Sequence, residues 1–446
     1  MRFTRSFRKP LWIVKSFVEK HKRLIGLAAL VGAVIFLAAK NFLPLLPKIK
    51  SEKRIGIVGQ YSFENLPYEI SQNISRGLTK LDETGVVQPD IAKNWEILEE
   101  ETLYRVHLKP DSFWSDGTPI ISSDISLNLP DVEIRHPEPY VIEFKLKESY
   151  APFLGLLSQS LWKNHQFGAG QFSIKNIKQR GPTISQLKLS GRENNLTYRF
   201  YASYESAWLG FKLGQVDTLS DLIVNPLPKD WGDSVNLSTD TGWHQYLGVV
   251  FNLTDPMLSS KPLRQALAYA IKDKAPNQVR ALSPLSPRSW AFNASVKPYE
   301  FNPDQARELY DRATTEATIS GELTIALGTS QSFLPRAEAI AASWQEILPV
   351  KVDVKIINAI EPNFQAILIA QEIPLDPDQH ALWHSTQPTN LSHFSDLRVD
   401  KLLEDGRKIS DQKERREIYL DFQRFLVEET PVVFLEHPTT YTINRK

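Results

Sequence analysis

Two histidines in the stretch HALWH have the spacing of a metal site. His380 and His384 lie four residues apart, so on a helix they would share one face, and His393 follows nearby. Two imidazoles together with a carboxylate can bind zinc. However, Ala381 occupies the position at which the His-Glu-x-x-His pattern carries its general base. A metal-dependent hydrolase therefore stays open as an alternative, although the sequence lacks the general base of this motif.

Other catalytic motifs are missing from the sequence. No cysteine occurs, which excludes disulfides, thiolate metal sites, cysteine nucleophiles and a lipidated N-terminal cysteine. There is no Gly-x-Ser-x-Gly elbow and no phosphate-binding Walker loop, and the run at Gly168 and Gly170 lacks a third spaced glycine. We therefore predict a protein that is not an enzyme and that uses no metal or cofactor.

The distribution of charge separates the first residues from the rest of the chain. Over all 446 residues the formal net charge is zero, yet residues 1–23 contain eight Lys or Arg and one Glu. The remaining chain has 44 basic and 51 acidic residues and is mildly acidic. A nucleic-acid binder normally presents a basic field over its folded part, so we exclude that class.

An apolar segment follows the basic one. Residues 24–47, LIGLAALVGAVIFLAAKNFLPLLP, contain Lys40 as their only charge and are long enough to span a bilayer as a helix. By the positive-inside rule, residues 1–23 would stay in the cytoplasm and the bulk of the chain would be extracytoplasmic. A cleaved signal peptide, with residues 37–39 at the cleavage site, and a buried core helix are the alternatives. We predict a single-pass anchor in the cell membrane.

The elements after this segment are of two kinds. Short alternating segments dominate as far as residue 243, as in TLYRVHLK, where Tyr104, Val106 and Leu108 share one face of a strand. Beyond it, GELTIALG, PRAEAIAASWQEIL and VKVDVKII predict a strand, a helix and a second, parallel strand. The final stretch, PVVFLEHPTTYTI, predicts a returning strand. The fold class is therefore mixed α/β.

Several helices carry local start signals. Pro303 and Pro262 occupy first-turn positions, where a missing N–H costs nothing. Asp411 followed by Glu414 resembles a capping box, and Pro431 ends the helix that begins there. These signals predict helices over PDQARELYDRA, LRQALAYAI and KERREIYLDFQRFLVEE.

Several stretches resemble, in the same order, the family 5 extracellular solute-binding proteins, which are the oligopeptide and dipeptide receptors of ABC importers. They are QPDIAKNWEILEEETLYRVHLKPDSFWSDGTPIISSDI, GAGQFSI, ESAWLGFKLGQVDTL, YLGVVFNLTDPMLSSKPLRQALAYAI, FNPDQARELYDRA and LDPDQHALWHSTQPTNLSHFSDLRVDKLLEDGRKISDQKERREIYLDFQRFL. The matches cover nearly all of residues 55–440.

This resemblance implies a two-lobed fold of the type II periplasmic-binding-protein kind, which closes over its ligand like a Venus flytrap, preceded here by one N-terminal transmembrane helix. Lobe I would comprise residues 48–243, with residues 431–446 returning to it, and lobe II residues 244–430. The chain would cross between lobes near Gln245–Leu247 and near Pro431, which would form a hinge. Since SSDI is followed almost directly by SLNLPDVEIRHPEPYVIEFKLK, we expect a trimmed first lobe.

The resemblance also implies a site between the lobes. Relatives often hold a peptide's amino terminus with an acidic residue a few positions before an Asp-Pro pair. Here Asp376 precedes Pro377, but Ile373 stands where the acid is expected, and Glu372 is the nearest upstream carboxylate. Either Glu372 takes over the contact, or the ligand has no free amino group. The predicted ligand-binding residues are Gln245, Tyr246, Glu372, Asp376, Trp383 and His384.

The loop FWSDGTPI would cap a hairpin of the first lobe. We expect Phe113 and Trp114 to pack against that lobe while Asp116 and Gly117 form the turn.

The predicted partners are a peptide or other small solute and, from the resemblance, ABC permease subunits in the membrane. Transport is not the sole function compatible with such a chain. The anchor without lipidation and the altered acidic loop leave open a tethered sensor or scaffold that keeps the receptor fold without serving a transporter.

Overall fold

The computed structural model describes residues 17–24, 26–28, 30–32, 36, 50–63, 65–164, 167–225, 227, 231, 234–316 and 323–446. The chain divides into two compact units, Met1–Ser51 and Glu52–Lys446. Most of the predicted anchor and most of the basic segment before it lie outside the described residues. In the part of the chain that is described, no helix has both the length and the apolar content needed to cross a membrane.

The strands and helices are numbered in chain order. The strands are β1 Ser51–Val58, β2 Thr79–Leu81, β3 Val87–Pro89, β4 Ala92–Leu98, β5 Leu103–Leu108, β6 Val132–Glu138, β7 Val141–Leu146, β8 Trp162–Lys163, β9 Phe167–Gly168, β10 Ser173–Arg180, β11 Thr183–Ser190, β12 Asn194–Tyr201, β13 Thr218–Leu222, β14 Val235–Thr241, β15 Gln245–Phe251, β16 Val279–Arg280, β17 Leu323–Thr329, β18 Val350–Ile356, β19 Ala366–Glu372, β20 Val432–His437 and β21 Thr439–Arg445. The helices are α1 Tyr68–Ile74, α2 Phe153–Leu156, α3 Tyr204–Lys212, α4 Lys261–Ala270, α5 Pro303–Glu316, α6 Leu334–Ile347, α7 His380–Trp383, α8 Leu397–Lys408 and α9 Gln412–Glu429.

A seven-stranded sheet organises the first half of the second unit. Its strand order is β10-β11-β12-β1-β13-β21-β14, and β1 runs parallel to β13. Two separate apolar clusters cover it, one around Ile70 and Leu187 and the other around Phe211 and Ile443. We call this sheet, its helices and the four-stranded sheet described next the first lobe.

The four-stranded sheet, in the order β4-β5-β7-β6, has its own apolar cluster, in which Trp114 is 2% exposed. The Trp114 indole donates to Asp124 at 3.2 Å, and Gly117 N–H donates to the Trp114 carbonyl at 2.9 Å to close the turn. The predicted packing of Trp114 and the predicted turn are confirmed. The prediction for Phe113 is wrong, because its side chain points outward and the residue is 52% exposed.

A six-stranded sheet organises the second lobe, in the order β16-β20-β15-β19-β17-β18. Strand β17 runs parallel to β18, with Leu323 opposite Val350, and helix α6 connects them, as the sequence predicts. Trp344 in α6 is fully buried in the core and donates its indole N–H to the Leu267 carbonyl at 2.8 Å. This lobe therefore has a continuous core between its sheet and its helices.

The predicted helix starts are present. Pro262 occupies the first turn of α4, and α5 begins at Pro303. The Asp411 carboxylate accepts from Glu414 N–H at 2.9 Å and caps α9. That helix ends at Glu429, where Thr430 adopts a left-handed conformation with φ of +52°.

The chain passes between the two sheets at two neighbouring points. Strand β14 ends at Thr241, opposite Thr439, and β15 begins at Gln245 in the other sheet. The Gly242 N–H donates to the Pro438 carbonyl at 2.8 Å, and His437 Nδ1 lies 2.8 Å from the Gln245 carbonyl. The two crossings are thus hydrogen-bonded to each other.

The second crossing lies further along the chain than the sequence indicates. Strand β20, Val432–His437, pairs with β15 and β16 in the six-stranded sheet. The return to the seven-stranded sheet therefore begins at Thr439, after Pro438, and not at residue 431. The stretch PVVFLEHPTTYTI thus contains two short strands that belong to different sheets and that Pro438 separates.

A buried carboxyl group in β20 gives the protein a pH dependence. Glu436 is 8% exposed, and burial raises its pKa to about 7 against the opposing effect of Arg336 at 3.6 Å. The folded state then keeps a proton that the unfolded chain releases near pH 4.5. Because the folded state binds more protons in this window, the free energy of unfolding should fall by roughly 2 kcal/mol as pH rises from about 4.5 to about 7.

The variant Glu436→Gln tests this dependence. Its amide resembles the protonated acid, so chemical unfolding of the full chain at pH 5 and pH 7 should show a smaller loss of stability than the unaltered protein shows. Glu346→Gln, which removes an exposed carboxylate beside Lys272, is the control and should leave the loss unchanged. Equal losses in the unaltered protein and in Glu436→Gln would contradict the assignment.

Candidate functional site

Residues from both lobes meet beside the two crossings. Asp221 lies in β13 of the first lobe, and its carboxylate lies 3.9 Å from His244 Nε2, just before β15. Gln245 is paired with Glu372 across β15 and β19. The His244 carbonyl accepts from Ile373 N–H at 2.7 Å, which fixes the end of β19. We call Asp221, His244, Gln245 and Glu372 the cleft mouth.

The cleft mouth is electronegative. Glu372 is exposed and forms no ion pair with any described Lys or Arg. Asp221 also has no described Lys or Arg as a partner, and the one basic side chain found near its carboxylate among the described residues is His244. Burial, followed by the charges of Asp221 and Glu372, raises the pKa of the nearby Tyr61 hydroxyl. Two carboxylates without cationic partners favour a positively charged group between the lobes.

Asp376, the second predicted acid, already forms an ion pair within the protein. Arg415 of α9 donates to its two carboxylate oxygens at 2.8 and 3.2 Å. Arg415 is 6% exposed, donates through Nε to the Gly406 carbonyl at 2.8 Å, and lies over the ring of Trp290. The pair fixes the loop that follows β19, so the structure brings Glu372, but not Asp376, to the cleft mouth as a free carboxylate.

Two predicted aromatic residues share a small cavity in the second lobe. Tyr246 and Trp383 line it together with Gln371 and Thr389. Tyr246 is 2% exposed and packs edge-on against Phe434, with ring centroids 4.9 Å apart. The indole Nε1 of Trp383 is buried without a hydrogen-bond acceptor. An acceptor from a bound molecule would satisfy it.

His384 lies in a buried polar cluster. Its Nδ1 is 2.9 Å from the Thr386 hydroxyl, and its Nε2 is 3.5 Å from Glu404. The ring stacks on His380 at 4.2 Å, and burial, with smaller effects of Arg407 and His384, lowers the pKa of His380. Among the described residues, no group of three or more His, Asp or Glu is arranged to hold a metal ion. The histidine spacing in the sequence reflects this stacked pair.

The first lobe also touches the second away from the crossings. The hairpin β2–β3 meets Trp290, whose backbone N–H donates to the Thr84 carbonyl at 3.0 Å and whose indole donates to the Gly85 carbonyl at 3.3 Å. Ala151 N–H donates to the Arg407 carbonyl at 2.6 Å. These contacts join the lobes on a side of the cleft other than the crossings.

Sequence reasoning missed Tyr61 and Asp221. Tyr61 follows the first strand of the sheet, and Asp221 lies in β13 with a left-handed φ of +56°. The local signal at Asp221 is weak, because the strand TLSDL already contains Thr218 and Ser220 as polar residues. Their proximity to Glu372 comes from the pairing of distant strands, which no local pattern encodes.

Comparison with known proteins agrees with this architecture. The family model for bacterial extracellular solute-binding proteins, family 5 (middle region), matches residues 192–393. The oligopeptide-binding protein AppA of Bacillus subtilis (strain 168) is 21% identical over 461 residues, covering 85% of this chain and 84% of the relative. The dipeptide-binding protein of Escherichia coli (strain K12) is 24% identical, covering 82% and 84%.

Residues 192–393 thus match family 5, and the two relatives that cover more than four-fifths of the chain are named as peptide-binding proteins. The predicted resemblance to this family is confirmed. Proteins of the family are binding proteins and not enzymes, so the prediction of a non-enzyme is confirmed as well.

Two solved structures share the fold. NikZ from Campylobacter jejuni, in complex with Ni(L-His), superposes with a TM-score of 0.74 at 22% identity, covering 89% of this chain and 94% of NikZ. AppA from Bacillus subtilis, in complex with a nonapeptide, gives a TM-score of 0.70 at 18% identity, covering 89% and 95%. The mixed α/β, two-lobed binding-protein fold is therefore confirmed.

The ion pair between Arg415 and Asp376 generates a stability prediction. Arg415→Ala leaves Asp376 without its partner inside the lobe, so we expect a loss of roughly 3–5 kcal/mol in the free energy of unfolding. Arg424→Ala is the matched control, because it breaks an exposed pair with Asp421 in the same helix and should cost less than about 0.5 kcal/mol. Urea unfolding of the full chain measures both. Similar small losses would contradict the role of the pair.

Proposed function

We propose that the protein is a membrane-anchored receptor that binds peptides, or similar small solutes with an ammonium group, in the cleft between its lobes and presents them to an ABC permease. The observation that carries this proposal is the pair of uncompensated carboxylates, Asp221 and Glu372, where the lobes meet. The relatives named as oligopeptide- and dipeptide-binding proteins support the choice of ligand class.

Recognition would begin with the ligand's amino group. Glu372 replaces the acid that relatives often carry nearer to the Asp-Pro pair, and Asp221 adds a second negative charge from the opposite lobe. Closure removes water from the cleft, which strengthens these charge-assisted hydrogen bonds. The cavity beside Tyr246 and Trp383, of about 20 Å³, has room for a single water molecule, which could accept from the Trp383 indole N–H and bridge to the ligand.

The lobes would close by bending at the paired crossings. The first lobe, in this proposal, comprises residues 48–243 and 439–446, and the second lobe the residues between them. Residues 241–245 and 437–439 connect the lobes and share hydrogen bonds, so they would bend together. Tyr246 begins the rigid second lobe immediately after this hinge.

The location and partners follow from the first 47 residues. The basic segment 1–23 and the apolar segment 24–47 support an N-terminus in the cytoplasm and an anchor in the cell membrane. Permease subunits would be the membrane partners. A chain that binds no peptide would instead fit the tethered sensor, and this alternative predicts no ligand in the screen described next.

Peptide binding is the direct test of the function. The full chain should show thermal stabilisation by members of a peptide pool, and native mass spectrometry should detect a peptide retained through purification. Absence of stabilisation across di-, tri- and longer peptides would remove the receptor hypothesis and favour the sensor.

The role of Glu372 predicts a selective loss. Glu372→Gln should weaken binding of a peptide with a free amino terminus about fivefold and leave its N-acetylated form unaffected, because one exposed charge pair disappears. Glu193→Gln, which neutralises an exposed carboxylate in the first lobe, is the control and should change neither. Titration calorimetry with both peptides measures the effect. Equal loss for both peptides would show that Glu372 does not recognise the ammonium.

Contact between the lobes away from the hinge gives a further prediction. Gly85 and Gly117 both have φ of +85°, but a Cβ on Gly85 would lie 2.2 Å from the Leu375 carbonyl, whereas one on Gly117 meets nothing within 4 Å. Alanine at either position should cost about 1 kcal/mol of stability. Only Gly85→Ala should also weaken peptide binding, because it separates the hairpin from the second lobe. Equal dissociation constants for the two variants would contradict a role for this contact in closure.

A further inference from the structure

A cavity of about 510 Å³ lies in the first lobe, apart from the residues of the cleft mouth. It is bounded by strands β10, β11 and β12 on one side and by the start of α3 on the other. Its polar lining includes Lys178, Arg180, Arg199, Gln60, Gln186 and Gln215. All lining residues precede β13, so the cavity belongs to one lobe and does not depend on closure.

Strand register builds the charged side of this cavity. Lys178 is opposite Gln186 across β10 and β11, and Gln186 is opposite Arg199 across β11 and β12. Residues paired directly across an antiparallel sheet share a face, so these three side chains form one row across three strands. Arg180 lies on the same strand as Lys178, near the turn that ends the hairpin. The row places cations and an amide on a single wall.

The cations of this row lack carboxylate partners. No Asp or Glu lines the cavity, and among the described residues Lys178, Arg180 and Arg199 form no ion pair. Elsewhere in the first lobe, an arginine can have a carboxylate partner; Arg54, for example, forms an ion pair with Asp217. Two acids lie on neighbouring elements: Glu52 of β1 accepts from the Thr197 hydroxyl at 2.6 Å, and Glu205 in the first turn of α3 is exposed and does not line the cavity. The cavity therefore carries an uncompensated positive charge.

Arg199 presents an unused donor. Its Nη1 donates to the Gln215 side chain at 3.2 Å, which orients the guanidinium, while its Nε is buried without an acceptor. A guanidinium edge of this kind matches the two oxygens of a carboxylate or phosphate group. A buried N–H without an acceptor is costly, but Nε has almost no exposed surface, so an oxyanion in the cavity would reach it only after a small rotation of the guanidinium.

The start of helix α3 adds to the same potential. The helix runs over Tyr204–Lys212, and Ser206 of its first turn lines the cavity. Ser203 caps the helix by accepting from Ser206 N–H. The positive end of the helix dipole thus lies beside the row of cations, and Glu205 in the same first turn offsets part of its potential.

We propose that this cavity is a second ligand site, one that binds a small anion through a carboxylate or phosphate group held by Arg199, with Lys178 and Arg180 neutralising the remaining charge. The site has the opposite charge preference to the cleft mouth. It goes beyond the receptor function and does not depend on it, because no residue of the cleft takes part.

The test uses the full chain and two probes, inorganic phosphate and succinate, in titration calorimetry at constant ionic strength. At least one probe should bind saturably with a one-to-one stoichiometry, and Arg199→Gln should weaken it by about tenfold or more, because the oriented guanidinium is lost. Phosphate binding alone would identify an oxyanion of the phosphate class, and succinate binding alone a carboxylate. Saturable binding of neither probe up to about 10 mM, a concentration typical of the weakest specific sites, overturns the proposal.

Matched variants distinguish binding in this cavity from a general effect of positive charge on the protein surface. Arg192→Gln removes the same charge from the opposite end of the hairpin, outside the cavity, and should leave the affinity unchanged. If Arg199→Gln lowers the midpoint of thermal unfolding, the double variant Lys178→Gln with Arg180→Gln is used in its place. Both side chains are exposed, so the double variant should fold normally and should weaken binding of the same probe. Unchanged affinity in the folded cavity variants, or equal weakening by Arg192→Gln, overturns the proposal. Peptide binding in the cleft should persist in all of them, so failure here is distinguishable from failure of the receptor function.

Discussion

The two strands that carry the chain between the sheets lie side by side, and this pairing determines the rest of the structure. Thr241 is opposite Thr439, Gly242 donates to Pro438, and His437 contacts the Gln245 carbonyl. Two independent linkers would let the lobes rotate in many directions. Two linkers joined by hydrogen bonds restrict rotation to bending about one region, because any twist would break those bonds. The arrangement explains why the carboxylates beside the crossings stay close to each other.

Charge is distributed differently on the two sides of this hinge. At the cleft mouth, no described Lys or Arg pairs with Asp221 or Glu372, whereas Asp376, only four residues beyond Glu372, is held by the buried Arg415. Asp221 and Glu372 would therefore be available to a ligand, whereas Asp376 holds a loop in place. In the first lobe the balance is reversed, because Arg199 and its neighbours have no carboxylate among them. If both proposals hold, a single chain of zero net charge offers sites of opposite sign.

The sequence predicts what depends on local chemistry. Prolines and caps at Pro262, Pro303 and Asp411 located helix starts, and the alternation in β17 and β18 gave the parallel unit. It did not separate β20 from β21, since both are rich in β-branched and aromatic residues and only pairing assigns them to sheets. Arg415 and Asp376 are 39 residues apart, and Asp221 and His244 meet through tertiary structure, so no motif marks either contact. Of the candidate site, Gln245 was predicted as part of the expected crossing and Glu372 as the nearest carboxylate before Asp376, and both predictions came from the family resemblance.

The central claim is that the lobes close over a ligand by bending at the paired crossings. Because the chain has no cysteine, Glu193→Cys in the first lobe and Lys355→Cys in the second can carry spin labels without background. Double electron–electron resonance then gives the distance distribution between the lobes. The account predicts that a bound peptide shifts and narrows this distribution. Superimposable distributions, with binding of the peptide established in the same sample, would contradict it.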